Sequence, residues 1–285
     1  MQRKENIFFS VLLIHLSFLF TGCVANPPEA TANKIAAASG LIRNNLQTSA
    51  FEIVSWQRIT PPVNSLRVYI EGDGFAWKSR TQPSANPTPH NPVALKLAAS
   101  DSRANVLYLA RPCQFLSAPL PAGCRINIWT EDRFSPAVIN AMNEALDRVV
   151  ERYPGVTLEL VGYSGGGNIA ALLAERRSDV RSLRTVAGNL DVAYVNALHR
   201  VSAMPHALSA IDRAGELRTL AQAHFSGEED ETVPPAVARR FQQAVGGSCV
   251  RVVALKGMAH GSDWASRWPQ LLAEGVADCG PAALK

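Results

Sequence analysis

The sequence lacks the features that mark several common classes of protein. None of its apolar runs reaches the roughly 20 residues that a membrane-spanning helix needs. It has no C-x-x-C pair and no two histidines at metal-ligand spacing, which argues against a structural zinc site. No stripe of basic residues interleaved with aromatics is present, so nucleic acid is not an expected partner.

Charged residues are also few, at 18%, whereas hydrophobic residues make up 47% of the 285 residues. This balance is typical of a globular protein and too apolar for a disordered one. The formal net charge is +4, and Arg3 and Lys4 at the N-terminus contribute part of it. Beyond the N-terminal region no repeat or change in composition divides the chain, so we expect one domain over residues 46–285.

The first 22 residues are typical of an export signal. Arg3 and Lys4 precede an apolar run over residues 7–20, which has the length of a signal-peptide core. The segment then reads F-T-G-C, ending at Cys23, and resembles the lipobox of bacterial lipoproteins, in which the cysteine carries the lipid. Phe20 departs from the leucine usual at its position. A plain secretory signal and an uncleaved anchor are the alternatives.

The residues that follow Cys23 indicate where in the cell the protein is expected to lie. Val24 stands where an aspartate commonly retains lipoproteins in the inner membrane, so the resemblance implies the periplasmic side of the outer membrane. Residues 23–45 are polar and contain Ala, Asn and Pro, which predicts a flexible tether. We therefore expect a cell-envelope protein that meets the membrane through its N-terminal lipid, or otherwise a periplasmic or secreted one.

The cysteine count agrees with export. Besides Cys23 the chain has four cysteines, an even number, as expected in an oxidising compartment. Four cysteines allow three pairings. A bond between Cys113 and Cys124 closes a short loop and stabilises by roughly 2–3 kcal/mol, and Cys249 then pairs with Cys279.

Short β-rich runs alternate with longer helical patterns along the chain. This alternation favours a mostly parallel sheet covered by helices. Ser135-Pro136 predicts the start of a helix, because proline is favoured in the first turn. Strands are predicted over Phe51–Ile59, Leu66–Ile70, Asn105–Leu109, Thr157–Val161, Arg181–Val186, Ala221–Phe225 and Val250–Leu255.

One motif carries chemistry. The segment G-Y-S-G-G, centred on Ser164, fits G-x-S-x-G and lies between a predicted strand and a predicted helix, the context this motif requires. The turn raises the hydroxyl above the sheet at a helix N-terminus, whose dipole favours a developing oxyanion. Asn168 stands where a phosphate-binding loop has lysine, which excludes that alternative. A glycine-rich turn without chemistry is the other interpretation.

A serine hydroxyl needs a base, and the base needs an acid to orient it. Downstream of Ser164, Asp230 and His260 each follow a predicted strand, in the order serine, acid, histidine. Asp191 is the alternative acid. The acidic neighbours of Asp230 also permit a solvated acidic loop.

These three motifs together resemble the α/β-hydrolase family over residues 66–260. The loop around Asp230 resembles the G-x-x-D-x-x-V-P loop that carries the family's acid, and E-G-D-G from Glu71 stands in place of its HG or HGGG loop. The resemblance implies an eight-stranded, mostly parallel sheet. It also implies an oxyanion hole formed by the N–H of Gly165 and that of Asp73 or Gly74.

The same resemblance makes both disulfide pairings reasonable. Cys113 and Cys124 fall in one loop after a strand, and Cys249 opens the last strand while Cys279 ends the last helix. Residues 189–217 exceed what the sheet needs and are predicted to form a partial lid over the site. A packed surface subdomain is the alternative.

We therefore expect an esterase-like or lipase-like serine hydrolase that acts on small-molecule or lipid-like esters. Ser164 attacks, His260 moves the proton and Asp230 orients His260, and this chemistry needs no metal or organic cofactor. A peptidase, thioesterase or acyltransferase with the same triad remains an alternative. So does an envelope lipoprotein that uses the scaffold for binding with little turnover, because fold does not determine function.

Overall fold

The computed structural model describes residues 27–279. The predicted signal (1–22) and Cys23 lie outside the described residues. A single sheet runs through the molecule, formed by the strands β1 Ile42–Gln47, β2 Glu52–Arg58, β3 Ser65–Ile70, β4 Val106–Leu109, β5 Thr157–Tyr163, β6 Val180–Val186, β7 Ala221–Gly227 and β8 Val250–Leu255.

The order of the strands is β1-β2-β4-β3-β5-β6-β7-β8. β2 is antiparallel to both β1 and β4, and every other neighbouring pair is parallel. The predicted eight-stranded, mostly parallel sheet is confirmed. Because parallel strands end at the same edge of the sheet, the loops after β3, β5, β7 and β8 meet there, where open α/β sheets place their sites.

Helices cover both faces of the sheet, as parallel strands require. Alternate residues of β3 face opposite ways: Leu66, Val68 and Ile70 lie in one hydrophobic core and Tyr69 in the other. No helix within residues 27–279 is long and apolar enough to cross a membrane. The α-helices are α1 Pro28–Ala38, α2 Val93–Ser100, α3 Pro136–Val150, α4 Gly165–Arg176, α5 Val192–Leu198, α6 Pro235–Val245 and α7 Trp264–Ala273.

The predicted tether is wrong for residues 28–45, which belong to the folded domain. Helix α1 buries Ala32 and Ala36 in the same core as α2 and α7. Strand β1 pairs with β2 at the edge of the sheet. The sequence did not reveal β1 because Leu46 is its one buried side chain and Ile42 is 73% exposed, so backbone hydrogen bonds rather than burial hold it in place.

Residues 189–217 contain α5 and a 3-10 helix, Ala210–Leu217. This segment packs against the body of the domain: the side chain of Asn168 donates to the carbonyl of Leu208 and accepts from the N–H of Ala210. The N–H of Leu208 also donates to the carbonyl of Phe134. The alternative, a packed surface subdomain, therefore describes the segment.

The structure forms both disulfides expected from the sequence. The Cα atoms of Cys113 and Cys124 lie 5.5 Å apart, and those of Cys249 and Cys279 lie 4.5 Å apart. The first bond ties together the loop after β4. The second fastens the segment after α7 to the start of the edge strand β8.

Candidate active site

Ser164 lies on the turn between β5 and α4, with φ of 50° and ψ of −122°. A side chain at positive φ is strained, and the surrounding packing must maintain the strain. A Cβ on Gly166 would overlap the carbonyl oxygen of Ile70 at the end of β3, and a Cβ on Gly162 would overlap the carbonyl oxygen of Gly166. Both glycines of the motif are therefore required by close backbone packing that raises the serine above the sheet.

His260 stands between Ser164 and Asp230. Its Nε2 lies 3.0 Å from the Oγ of Ser164, and its Nδ1 lies 2.8 Å from Oδ2 of Asp230. A neutral imidazole that accepts from the serine and donates to the carboxylate satisfies both contacts. The structure thus brings together three side chains that come from the ends of three separate strands.

The surroundings of Asp230 fix its orientation. The side chain is buried, and its Oδ1 accepts hydrogen bonds from the N–H groups of Thr232 and Val233, which leaves Oδ2 for His260. The loop that carries Asp230 is itself tied to the histidine loop, because the N–H of Glu229 donates to the carbonyl of Met258. A backbone hydrogen bond therefore joins the loop of Asp230 to the loop of His260.

Two aromatic residues hold the backbone of His260. The hydroxyl of Tyr163 and the Nε1 of Trp264 both donate to its carbonyl oxygen, at 3.1 and 3.0 Å. Burial raises the pKa of Tyr163, so its hydroxyl stays protonated and able to donate. Nothing in the sequence marks these roles, since Tyr163 occupies the variable position of the serine motif.

Asp191, the alternative acid, is engaged by other partners. Its Oδ1 accepts the N–H of Tyr194 and so caps α5, and its Oδ2 forms an ion pair with Arg240 at 2.8 Å. These contacts account for both oxygens of the carboxylate. The geometry therefore favours Asp230 as the partner of His260.

The predicted oxyanion donors lie close to the serine. The carboxylate of Asp73 sits directly over Gly165, where it leaves no room for a Cβ. Within residues 27–279 the backbone N–H groups of Gly165, Asp73 and Gly74 donate no hydrogen bond. No acceptor among these residues therefore competes for the three N–H groups, and Gly74 has a φ of 68°.

Glu71, which stands where the HG motif of the sequence resemblance has histidine, anchors the loop over residues 71–74. Its buried carboxylate accepts from the N–H groups of Gly72, Ala94 and Leu95 and from the hydroxyl of Tyr108. Ala94 and Leu95 lie in the first turn of α2, where helical N–H groups lack partners. Burial raises the pKa of Glu71. The carboxylate thereby ties the oxyanion loop to both α2 and β4.

Two arginines compensate the charge of Asp73. Its carboxylate pairs with Arg111 at 3.2 Å and with Arg133 at 2.9 Å, and both guanidinium groups lie over the ring of Phe134. Burial lowers the pKa of Arg111 to about 10, so it remains charged at neutral pH. Since two cations face one anion, Asp73 does not leave a net negative charge beside Gly165 that would repel an oxyanion.

Ser164 and His260 open into a catalytic cleft of about 390 Å³. No residue of 189–217 lines it, so the predicted lid is wrong: the segment reaches the cleft only through His199, whose Nε2 contacts the carbonyl of Thr232 at 2.8 Å. Within residues 27–279 no cluster of His, Cys, Asp or Glu is arranged to hold a metal ion. Most of the lining comes from the oxyanion loop and its continuation: Glu71, Gly72, Asp73, Gly74, Phe75, Pro89, His90, Asn91 and Val93.

Neither protein-family models nor curated proteins match this chain. Solved structures do. Est1E from Butyrivibrio proteoclasticus matches with a TM-score of 0.55 and 12% identity, over 81% of this chain and 98% of its own. A bacterial membrane phospholipase A matches with a TM-score of 0.52 and 14% identity, over 87% and 90%. The Pyrococcus horikoshii acylaminoacyl peptidase matches with a TM-score of 0.59 and 10% identity, over 82% of this chain and 41% of the peptidase. At sequence identities of 10–14%, these similarities show the fold alone.

Proposed function

From the premise that this chain has the α/β-hydrolase fold, we propose that it is a serine hydrolase that cleaves carboxylic esters through an acyl-enzyme on Ser164. One observation carries the proposal. The Oγ of Ser164, the imidazole of His260 and the carboxylate of Asp230 form a continuous hydrogen-bonded chain, beside two backbone N–H groups that have no other partner within residues 27–279.

The geometry supports a sequence of proton transfers. As the Oγ of Ser164 attacks the ester carbonyl, Nε2 of His260 takes its proton, and the N–H groups of Gly165 and Asp73 stabilise the negative oxygen. The tetrahedral intermediate expels the alcohol, which receives the proton from His260. A water molecule, deprotonated by His260, then attacks the acyl-enzyme; the bond from the acyl carbon to the Oγ of Ser164 breaks, His260 returns the proton to Oγ, and the carboxylic acid is released.

An activity-based probe tests the nucleophile. A fluorophosphonate should label the wild-type chain and should not label Ser164→Ala, because the probe reacts with an activated serine hydroxyl. Hydrolysis of p-nitrophenyl butyrate should fall by several orders of magnitude in the same variant. Ser178→Ala is the matched control, since Ser178 is exposed and precedes β6 at the opposite edge of the sheet.

Two results would contradict the proposal: no labelling of the wild-type chain, or labelling that survives in Ser164→Ala. A chain that is labelled but cleaves only amide or thioester substrates would be a serine hydrolase of another specificity. The phospholipase A among the similar structures supports an ester substrate, whereas the acylaminoacyl peptidase supports this competing outcome.

We also propose that the chain is anchored in the cell envelope by a lipid on Cys23. The support is the sequence alone: an apolar run over residues 7–20 followed by F-T-G-C. Cells grown with labelled palmitate should incorporate the label into the wild-type chain and not into Cys23→Ala. Equal incorporation in both chains would exclude lipidation at this residue.

A further inference from the structure

A second cavity, also about 390 Å³, adjoins the catalytic cleft. Phe75 and His90 line both spaces, and the centroids of their rings lie 4.6 Å apart. This pair of rings therefore forms the partition between the catalytic cleft and the second cavity. The two spaces adjoin at this pair of rings, on one side of Ser164. The remaining wall comes mainly from residues 27–29, 84–86 and 115–118.

The order of the strands places this cavity on a definite side of the serine. Ser164 follows β5, which lies between β3 on one side and β6, β7 and β8 on the other. Asp230 and His260 come from the β7–β8 side, whereas Phe75 follows β3 and the 115–118 segment follows β4. The second cavity therefore lies on the side of Ser164 away from the loops that supply the base.

The acyl group of a bound ester is expected on this side of Ser164, away from His260. His260 must protonate the leaving alcohol, so the alcohol leaves toward His260. The acyl chain, on the other side of the carbonyl carbon, then extends toward the oxyanion loop and Phe75. A chain that continues in this direction meets the partition and enters the second cavity.

The chemistry of the cavity suits an alkyl chain. Its wall includes buried Phe115 and Leu116 together with Pro28, Ala85 and Ala118, and it also carries polar side chains, of which those of Lys78 and Ser117 are exposed. The one carboxylate in the wall, that of Glu29, is compensated by an ion pair with Arg43. Each methylene group removed from water in such a space favours binding about fourfold.

The N-terminus points to the source of the chain. Pro27 lines the cavity and lies four residues after Cys23, a distance of about 14 Å at most in an extended chain. Trp77, which precedes the cavity residue Lys78, is 43% exposed, and its ring is suited to a membrane interface. A lipid on Cys23 would hold the mouth of the cavity close to the membrane surface.

We propose that the second cavity is the acyl-chain site of the enzyme and that its substrates are long-chain acyl esters of membrane lipids. The proposal rests on the ester-hydrolase function proposed above and, for the membrane as the source of substrate, on the proposed lipid at Cys23; it adds the substrate class and its site. Phe75 and His90 guide the chain from the catalytic cleft into the cavity, and binding energy gained there raises kcat/KM for long-chain esters.

Blocking the cavity should change chain-length preference. Ala85→Trp and Ser117→Trp place an indole ring in the cavity from two different segments, and Thr81→Trp adds the same ring to the exposed tip of the loop between Trp77 and Pro83, outside the cavity. The full-length chains are assayed in one detergent with p-nitrophenyl butyrate and decanoate. The ratio of kcat/KM for decanoate to that for butyrate should fall at least tenfold in both cavity variants and stay at the wild-type value in Thr81→Trp.

A ratio that is unchanged in the cavity variants, or that falls equally in Thr81→Trp, would overturn the proposal. A chain that cleaves butyrate with a normal ratio in Ala85→Trp would refute the acyl site and leave the ester hydrolase intact. Binding of the product removes the dependence on turnover: decanoate titrated into Ser164→Ala should bind at least tenfold more tightly than into Ser164→Ala with Ala85→Trp. Equal affinities would refute the site even in an inactive chain.

Discussion

Asp230 and Asp191 allow a direct comparison between single residues, because both are buried carboxylates that follow neighbouring parallel strands. Only Asp230 contacts His260. In Asp230→Asn, the amide oxygen still accepts from Thr232 and Val233, but the amide nitrogen then faces Nδ1 of the imidazole. The ring must adopt the other tautomer, whose Nε2 carries a hydrogen and no longer accepts the serine proton.

We therefore expect kcat for p-nitrophenyl butyrate to fall on the order of 10³–10⁴-fold in Asp230→Asn, with little change in melting temperature. Asp191→Asn keeps the cap of α5 through its amide oxygen but loses the ion pair with Arg240, so it should lower stability by at most about 1 kcal/mol and leave kcat close to the wild-type value. Steady-state kinetics and thermal unfolding of both variants check this. A larger loss of kcat in Asp191→Asn would show that the acid has been assigned to the wrong residue.

Among the structural elements, the turn between β5 and α4 tolerates least change. The N-terminus of α4 lies against the end of β3, and a methyl group on Gly166 would overlap the carbonyl oxygens of Ile70 and Glu71. Both overlaps are with backbone, which cannot move aside without displacing the oxyanion loop. The element that presents the serine and the element that carries the oxyanion donors thus share one contact.

Gly166→Ala should accordingly lower the free energy of unfolding by several kcal/mol, through strain and overpacking. Gly215→Ala is the matched control, since Gly215 lies in the 3-10 helix and, apart from its chain neighbours and the backbone of its own helix, no described atom lies within 4 Å of the position that its methyl group would take; it should be neutral or slightly stabilising. Urea unfolding of the two variants measures the difference. A Gly166→Ala chain as stable as Gly215→Ala would mean that the close approach of α4 to β3 is not needed for the fold.

The elements that the sequence predicted are those whose hydrophobic period matches their burial. β3 and β5 are buried strands followed by glycine-rich turns, and β7 is a buried strand that ends at Gly227 before an acidic loop, so the positions of Ser164 and Asp230 could be read directly. β1 has a polar edge pattern and escaped recognition. The roles of Glu71 and Tyr163 could not be predicted either, because they depend on hydrogen bonds to residues distant in the chain, and no local sequence pattern indicates such bonds.

At the scale of the whole molecule, buried polar groups in the sheet make stability depend on pH. His224 in β7 is fully buried; its Nδ1 lies 2.9 Å from Oγ1 of Thr185, and its Nε2 has no hydrogen-bond partner within residues 27–279. Burial lowers the pKa of His224 from 6.5 to about 3. Between pH 6.5 and about 3 the folded chain therefore carries this histidine uncharged, whereas the unfolded chain protonates it.

The sign of the effect follows from proton binding. Between pH 6.5 and about 3 the unfolded state binds a proton at His224 that the folded state does not, so the free energy of unfolding falls as the pH falls through this window. From pH 7 to pH 5 the histidine alone should lower the free energy of unfolding by about 2 kcal/mol.

His224→Leu abolishes this titration, so the free energy of unfolding of this variant should fall by about 2 kcal/mol less than that of the wild-type chain over the same interval. Exposed His206 provides the control His206→Leu, which should retain the wild-type dependence. Urea unfolding of the three chains at both pH values measures these differences, and an equal loss in the wild-type and His224→Leu chains would show that His224 accepts a proton in the folded state.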